Sequence, residues 1–120
     1  MVTFKVSNLK NMNAELKSFA EFLRSVDVDD DDIFASRLVS CELITNVIRH
    51  SGETAFFTGE LLADRIAITV TAQSLSGLNL HPTLPDVFAE SGRGLYIVKS
   101  VCYGDIEECD GGLRVYVKRT

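Results

Sequence analysis

No stretch of this chain stays apolar for the roughly 18 residues that a membrane-spanning helix needs, so no helical span is expected. Cysteine is sparse. Cys41, Cys102 and Cys109 show no CxxC spacing, and an odd number leaves one over in any disulfide scheme. Reduced, mostly buried thiols are the expectation. Basic charge is also short: the formal net charge is −5, a field that repels a duplex phosphate backbone and argues against sequence-independent nucleic-acid binding. Residues 1–10 alternate polar and apolar side chains and lack the apolar stretch of a signal peptide, so a cytoplasmic address is expected. Proline occurs only as Pro82 and Pro85, both within one segment.

What is present suits a single globular domain over residues 1–120. That length can bury a real core, and 46% hydrophobic with 24% charged residues is an ordinary soluble balance. Residues 3–6 read as a short strand with Phe4 and Val6 on one face. Residues 13–26 have helical spacing, with Leu16, Phe19, Ala20, Phe22 and Leu23 able to share a face. The acidic run Asp29 to Asp32 precedes a long apolar-periodic stretch, where carboxylates can cap free amides and complement the helix dipole. A calcium loop would need Gly at its sixth position and Glu at its twelfth. The chain has Asp32 and Leu38 there, so a helix start is the better reading.

The second helix is expected over 33–50, stopped by Ser51-Gly52. Strands follow over 54–62 and 65–72 around an Ala63-Asp64 turn, the second with Ile66, Ile68, Val70 and Ala72 on one side. Residues 73–91 show no sustained period and have little to bury. A loop of that length is usually functional, and it is expected to be mobile without ligand. A helix over 93–103 closed by Gly104, then a hairpin of 105–109 and 113–118 around Asp110-Gly111-Gly112, complete the chain. The fold class is an α/β two-layer sandwich (α+β) of order β-α-α-β-β-α-β-β. Its helices lie on one face of a mainly antiparallel, mixed sheet.

Two constellations carry chemistry. At about 100° per residue, Leu43, Val47, Ile33, Ile44, Ile48, Cys41 and Phe34 cover about half of the long helix, while Glu42, Asn46 and His50 stack at i, i+4 and i+8 on the opposite arc. That arc is either the polar face of an amphipathic helix or a carboxylate–amide pair able to hold Mg²⁺ and a base toward one small site. Glu90-Ser91-Gly92-Arg93-Gly94-Leu95 lies at a loop-to-helix junction. Glycines there are either a turn or a cradle for an anion, since backbone amides can approach it and the helix N-terminus favours negative charge.

The order of these features is more specific than either alone. Glu42-Leu-Ile-Thr-Asn46-Val-Ile-Arg-His50 resembles the N-box of GHKL ATPases, the superfamily of gyrase, heat-shock chaperones, histidine kinases and mismatch-repair proteins. Ser91-Gly92-Arg93-Gly94-Leu95 resembles their second glycine box. The resemblance covers nearly the whole chain. The short length and the ending Gly112-Leu-Arg-Val-Tyr-Val-Lys-Arg119 are similar to anti-sigma-factor serine kinases in particular.

The resemblance implies a Bergerat fold and Mg-ATP as cofactor. It makes Glu42 the general base or water positioner and Asn46 the Mg²⁺ ligand. His50, Gly77, Gly92, Arg93, Gly94 and Leu95 fall around the nucleotide, with Arg93 either on a phosphate or solvated, and residues 73–91 form the ATP lid. It further implies a sigma factor or a STAS-type anti-anti-sigma protein as partner, and a homodimer.

Two positions depart from the family pattern. The first glycine box begins with an aspartate that accepts the adenine amino group, and here Ala72 stands in its place. Ser74 replaces the first glycine, and Ser76 or Gly77 takes the second. The threonine that usually follows the glycine of the final strand is Leu113. Both losses fall on the adenine side. Gln73 offers a carbonyl nearby, but its strand parity points to the other face.

Two functions from different classes follow. One is a Mg-ATP-dependent serine/threonine kinase acting on a STAS-type protein, favoured by the N-box. The other is a non-catalytic partner-binding module, favoured by Ala72 and Leu113. A sensor histidine-kinase domain is disfavoured, because the helical dimerisation region is not seen and His50 and His81 are poorly placed as phospho-acceptors.

Overall fold

The computed structural model describes residues 1–52, 54–72, 101–102, 106–109 and 111–119, with backbone only at His50 and Ser51. The predicted helix over 93–103 and lid over 73–91 lie outside them, apart from Val101 and Cys102. Within them the order is β1 (Val2–Val6), α1 (Leu9–Ser25), α2 (Asp30–Ser51), β2 (Ala55–Leu61), β3 (Arg65–Ala72), β4 (Glu107–Cys109) and β5 (Gly112–Lys118). The strands form one sheet of order β1-β2-β3-β5-β4.

All four ladders are antiparallel, so the sheet is not mixed among the described strands. For β1 and β2 the helix count explains this. A single helix between β1 and β2 would return the chain to the start of β1 and favour a parallel neighbour. Two helices joined through residues 26–29 bring it back to the end of β1, so β2 runs down beside it.

The helices lie against one sheet face. It carries Val6 from β1, Ala55 and Phe57 from β2, Ile66, Ile68, Val70 and Ala72 from β3, and Leu113, Val115 and Val117 from β5, all buried. Period-2 alternation therefore put the expected β3 residues inward. Phe57 anchors this layer. Its ring stacks on Phe4 at 4.4 Å between centroids and meets Phe19 of α1 edge-on at 5.0 Å.

The first helix begins four residues earlier than its apolar spacing suggests. Asn8 caps it, the side chain accepting from the Asn11 amide at 3.2 Å, which brings Met12 into the core. Its end carries no glycine. Asp27 takes φ 62°, and the amides of Asp27 and Val28 donate to the carbonyls of Arg24 and Leu23, a Schellman closure with Val28 buried.

The second helix starts at Asp30, not at residue 33. Asp29 occupies the cap position without a side-chain cap bond, so the acidic run acts through Asp30, Asp31 and Asp32 in the first turn, next to the positive end of the dipole. Gly52 ends it at φ 66°, donating to the Ile48 carbonyl at 3.0 Å.

The buried stripe of α2 is rotated from the expected one. Phe34 is 69% exposed, and Cys41 and Ile48 are only half-buried. Ser36 and Ser40 take the inner positions, each hydroxyl satisfied by the carbonyl one turn back (2.8 and 2.7 Å). A small residue with its polar group bonded locally costs little to bury. On another side of α2 the Thr45 hydroxyl donates to the Met12 sulfur of α1 at 3.7 Å.

Candidate functional site

One end of the sheet collects the relevant positions. Helix α2 finishes at Ser51, and β2 opens at Ala55 beside Val6 of β1 and Ala72 of β3. The Ala72 amide donates to the Gly111 carbonyl at 2.9 Å, and Thr71 pairs with Gly112. The chain also leaves β3 here toward the predicted lid, and β5 begins here.

Glu42 and Asn46 sit one turn apart in the half of α2 that leads to this end. Glu42 is half-buried, and Asn46 is 4% exposed. Asn46 was expected on an arc opposite the core. It instead borders the buried stripe, because at 100° per residue it falls next to Val39 and Leu43. Burial restricts an amide's rotamers and excludes bulk water, which suits a side chain that must present its oxygen in one direction. His50 belongs to the same helix, and its side chain is outside the described atoms.

On the strand side, Ala72 and Leu113 are diagonal neighbours, since Val70 pairs with Leu113 and Ala72 lies two residues further along the same face. Both belong to the apolar core, at 1% and 4% exposure. Together they make an apolar patch at this end of the sheet. Neither position carries a carboxylate. Gly77, Gly92, Arg93, Gly94 and Leu95 lie outside the described residues.

The donor chemistry of Glu42 and Asn46, a carboxylate and an amide oxygen, fits a hard divalent cation that keeps most of its ligands from water and phosphate. No group of three or more His, Cys, Asp or Glu side chains converges among the described residues. No described helix is long and apolar enough to cross a membrane. A cleft of about 280 Å³ opens elsewhere, between Ala20 and Arg24 of α1 and Asp30, Ile33, Phe34 and Arg37 of α2, and shares no residue with this site.

Thiol chemistry is disfavoured at Cys102. Cys41, Cys102 and Cys109 are all thiols, and desolvation by burial pushes the Cys102 pKa from 9.0 to about 12. A raised acid pKa keeps the folded form protonated while the unfolded chain ionises, so stability is intact below pH 9 and falls as pH rises toward about 12. Cys102 should resist a thiol-specific disulfide reagent at pH 8 in the native state and react on unfolding. Rapid native labelling, mapped by mass spectrometry, would contradict this.

Sequence reasoning missed a cluster on the opposite sheet face. Tyr116 donates to Glu107 Oε1 at 3.1 Å and lies under the Arg65 guanidinium at 4.2 Å, and Arg114 Nε donates to Thr69 Oγ1 at 3.0 Å. The signal was available, because strand parity puts all five on one side once the β3–β5 register is known. Compared with known proteins, the chain matches no protein-family model and no curated protein significantly.

Proposed function

We propose that this chain is an anti-sigma-factor-like regulatory domain with a GHKL-type Mg-ATP site that is degenerate at its adenine end. Its principal activity is the capture of a protein partner, either a sigma factor or a STAS-type anti-anti-sigma protein. The observation that supports the reading is that α2, with its polar pair, ends toward the end of the sheet where the two apolar strand positions lie. Glu42 and the buried Asn46 approach along α2, while Ala72 and Leu113 close the strand side with apolar groups.

When bound, Mg-ATP would supply a transferable phosphoryl group with its charge partly neutralised. Asn46 would orient the cation, and Glu42 would accept the proton of an acceptor hydroxyl, the two roles a serine kinase requires. Ala72 cannot accept a hydrogen bond through its side chain. A bond to a charged group contributes about 1.5–3 kcal/mol, so its loss weakens affinity by about ten- to a hundred-fold. Phosphate contacts do not read the base. The same apolar strand side favours the second reading, a non-catalytic module that binds its partner stoichiometrically.

Calorimetry tests the nucleotide half. Mg-ATP should bind weakly, with little preference over Mg-GTP. Tight, ATP-selective binding would show that another residue replaces the missing acceptor, and no binding of either would leave the non-catalytic module. Pull-down from native cytosol tests the partner half and should recover a sigma factor or a STAS-type protein. Recovery of neither, with a robust free-standing ATPase rate, would overturn the regulatory reading.

A further inference from the structure

We infer that the sheet face away from the helices binds an acidic, extended segment of a partner protein. The inference is independent of nucleotide binding. It starts from strand register. One cross-strand row on this face runs Thr3, Thr58, Thr69, Arg114, Glu107, a second runs Lys5, Phe56, Thr71, Gly112, and a third runs Glu60, Ala67, Tyr116, with Arg65 paired to Lys118 beyond it. Neither described helix covers it, and Phe56 is 39% exposed in the row with Lys5.

The charge of this face opposes that of the whole chain. Lys5, Arg65, Arg114 and Lys118 stand against Glu60 and Glu107, on a chain whose net charge is −5. Among the described residues, Arg65 has an ion-pair partner, the Asp64 carboxylate at 3.8 Å, while Lys5, Arg114 and Lys118 form no ion pair. Arg114 is held by Thr69 through Nε, which leaves its terminal nitrogens free for a bidentate carboxylate contact. Segregated charge of this kind steers and orients a partner of opposite sign.

Geometry selects the occupant. Lys5 on β1 and Arg114 on β5 are three strand spacings apart across the sheet and two residues apart along it, about 16 Å in all, which an extended segment of about five residues and its end side chains span. Carboxylates at its two ends would meet the cations, and an apolar side chain between them would rest on Phe56. A second copy presenting the same face would bring like charges together. Single-stranded nucleic acid needs successive stacking platforms. Here Phe56 is exposed, whereas Tyr116 is buried under Arg65.

The experiment is an NMR titration of the isotope-labelled full chain with a synthetic heptapeptide carrying glutamate at positions 2 and 6, phenylalanine at position 4 and threonine elsewhere, so that both carboxylates and the ring share one face of the extended peptide. Its lysine counterpart and a short oligothymidylate run in parallel. The glutamate peptide should shift the amides of Phe56, Thr58, Thr69 and Arg114 and weaken with added salt. R114E/K118E should reduce its affinity at least about ten-fold, while R114K/K118R, which keeps the charge and loses the fork, should reduce it by less. Phe56→Glu is the second variant should the charge reversal unfold the domain, and it should weaken binding as well. No binding of the glutamate peptide, equal binding of the lysine peptide, or shifts confined to other residues would overturn the proposal. Tighter binding of oligothymidylate on the same residues would assign the face to nucleic acid instead.

Discussion

Gly112→Val is expected to lower the free energy of unfolding by about 3 kcal/mol or more, the upper range for overpacking a filled site. A Cβ at Gly112 would stand 2.0 Å from the Val70 carbonyl oxygen and 2.7 Å from the Thr71 Cα. These are backbone atoms of the neighbouring strand, so no rotamer change can relieve the clash, and β3 and β5 must separate at their paired ends. That separation would also move Leu113 away from Val70 and disturb the strand side of the candidate site. Urea denaturation checks the effect through the transition midpoint. An unchanged midpoint would mean that the two strands do not approach this closely in solution.

Ala72→Asp should strengthen Mg-ATP binding about ten-fold, the return expected from one regained hydrogen bond to a charged group, and should create a preference for Mg-ATP over Mg-GTP. The structure adds an opposing effect. Ala72 is 1% exposed, paired with Ala55 and packed in the apolar cluster, so an unliganded carboxylate there is costly and the free variant should be less stable than the parent. Mg-ATP should then raise the melting temperature of Ala72→Asp more than that of the parent, because ligand stabilisation grows with affinity. Asn46→Ala should abolish Mg²⁺-dependent binding. Far-UV dichroism must show Asn46→Ala folded, since removing a buried amide also affects stability. A loss of stability in Ala72→Asp with no gain in affinity would remove the adenine end of the proposal.

Strand parity was legible along the chain because it is a local property: alternate side chains of β3 point to opposite faces whatever the neighbours are, and Ile66, Ile68, Val70 and Ala72 turned inward together. The stop at Gly52 was legible for the same reason, since a left-handed residue after an apolar-periodic run favours glycine. The end of α1 was harder to read. Its left-handed residue is Asp27, a tolerated but less common choice.

The composition and motifs of this chain determined its class and its candidate residues: strands and helices in order, Glu42 and Asn46 on one helix, Ala72 and Leu113 where polar side chains were expected. Only the tertiary structure decided which arc of α2 faces inward. Helical spacing defines the angles between side chains but not the direction of the core, and packing against α1 and the sheet buried Ser36, Ser40 and Asn46 while leaving Phe34 outside. The same holds for charge. A net value of −5 describes the chain as a sum, whereas the pairing of β1, β2, β3 and β5 gathers Lys5, Arg65, Arg114 and Lys118 onto one face, because register joins residues that sequence distance keeps apart.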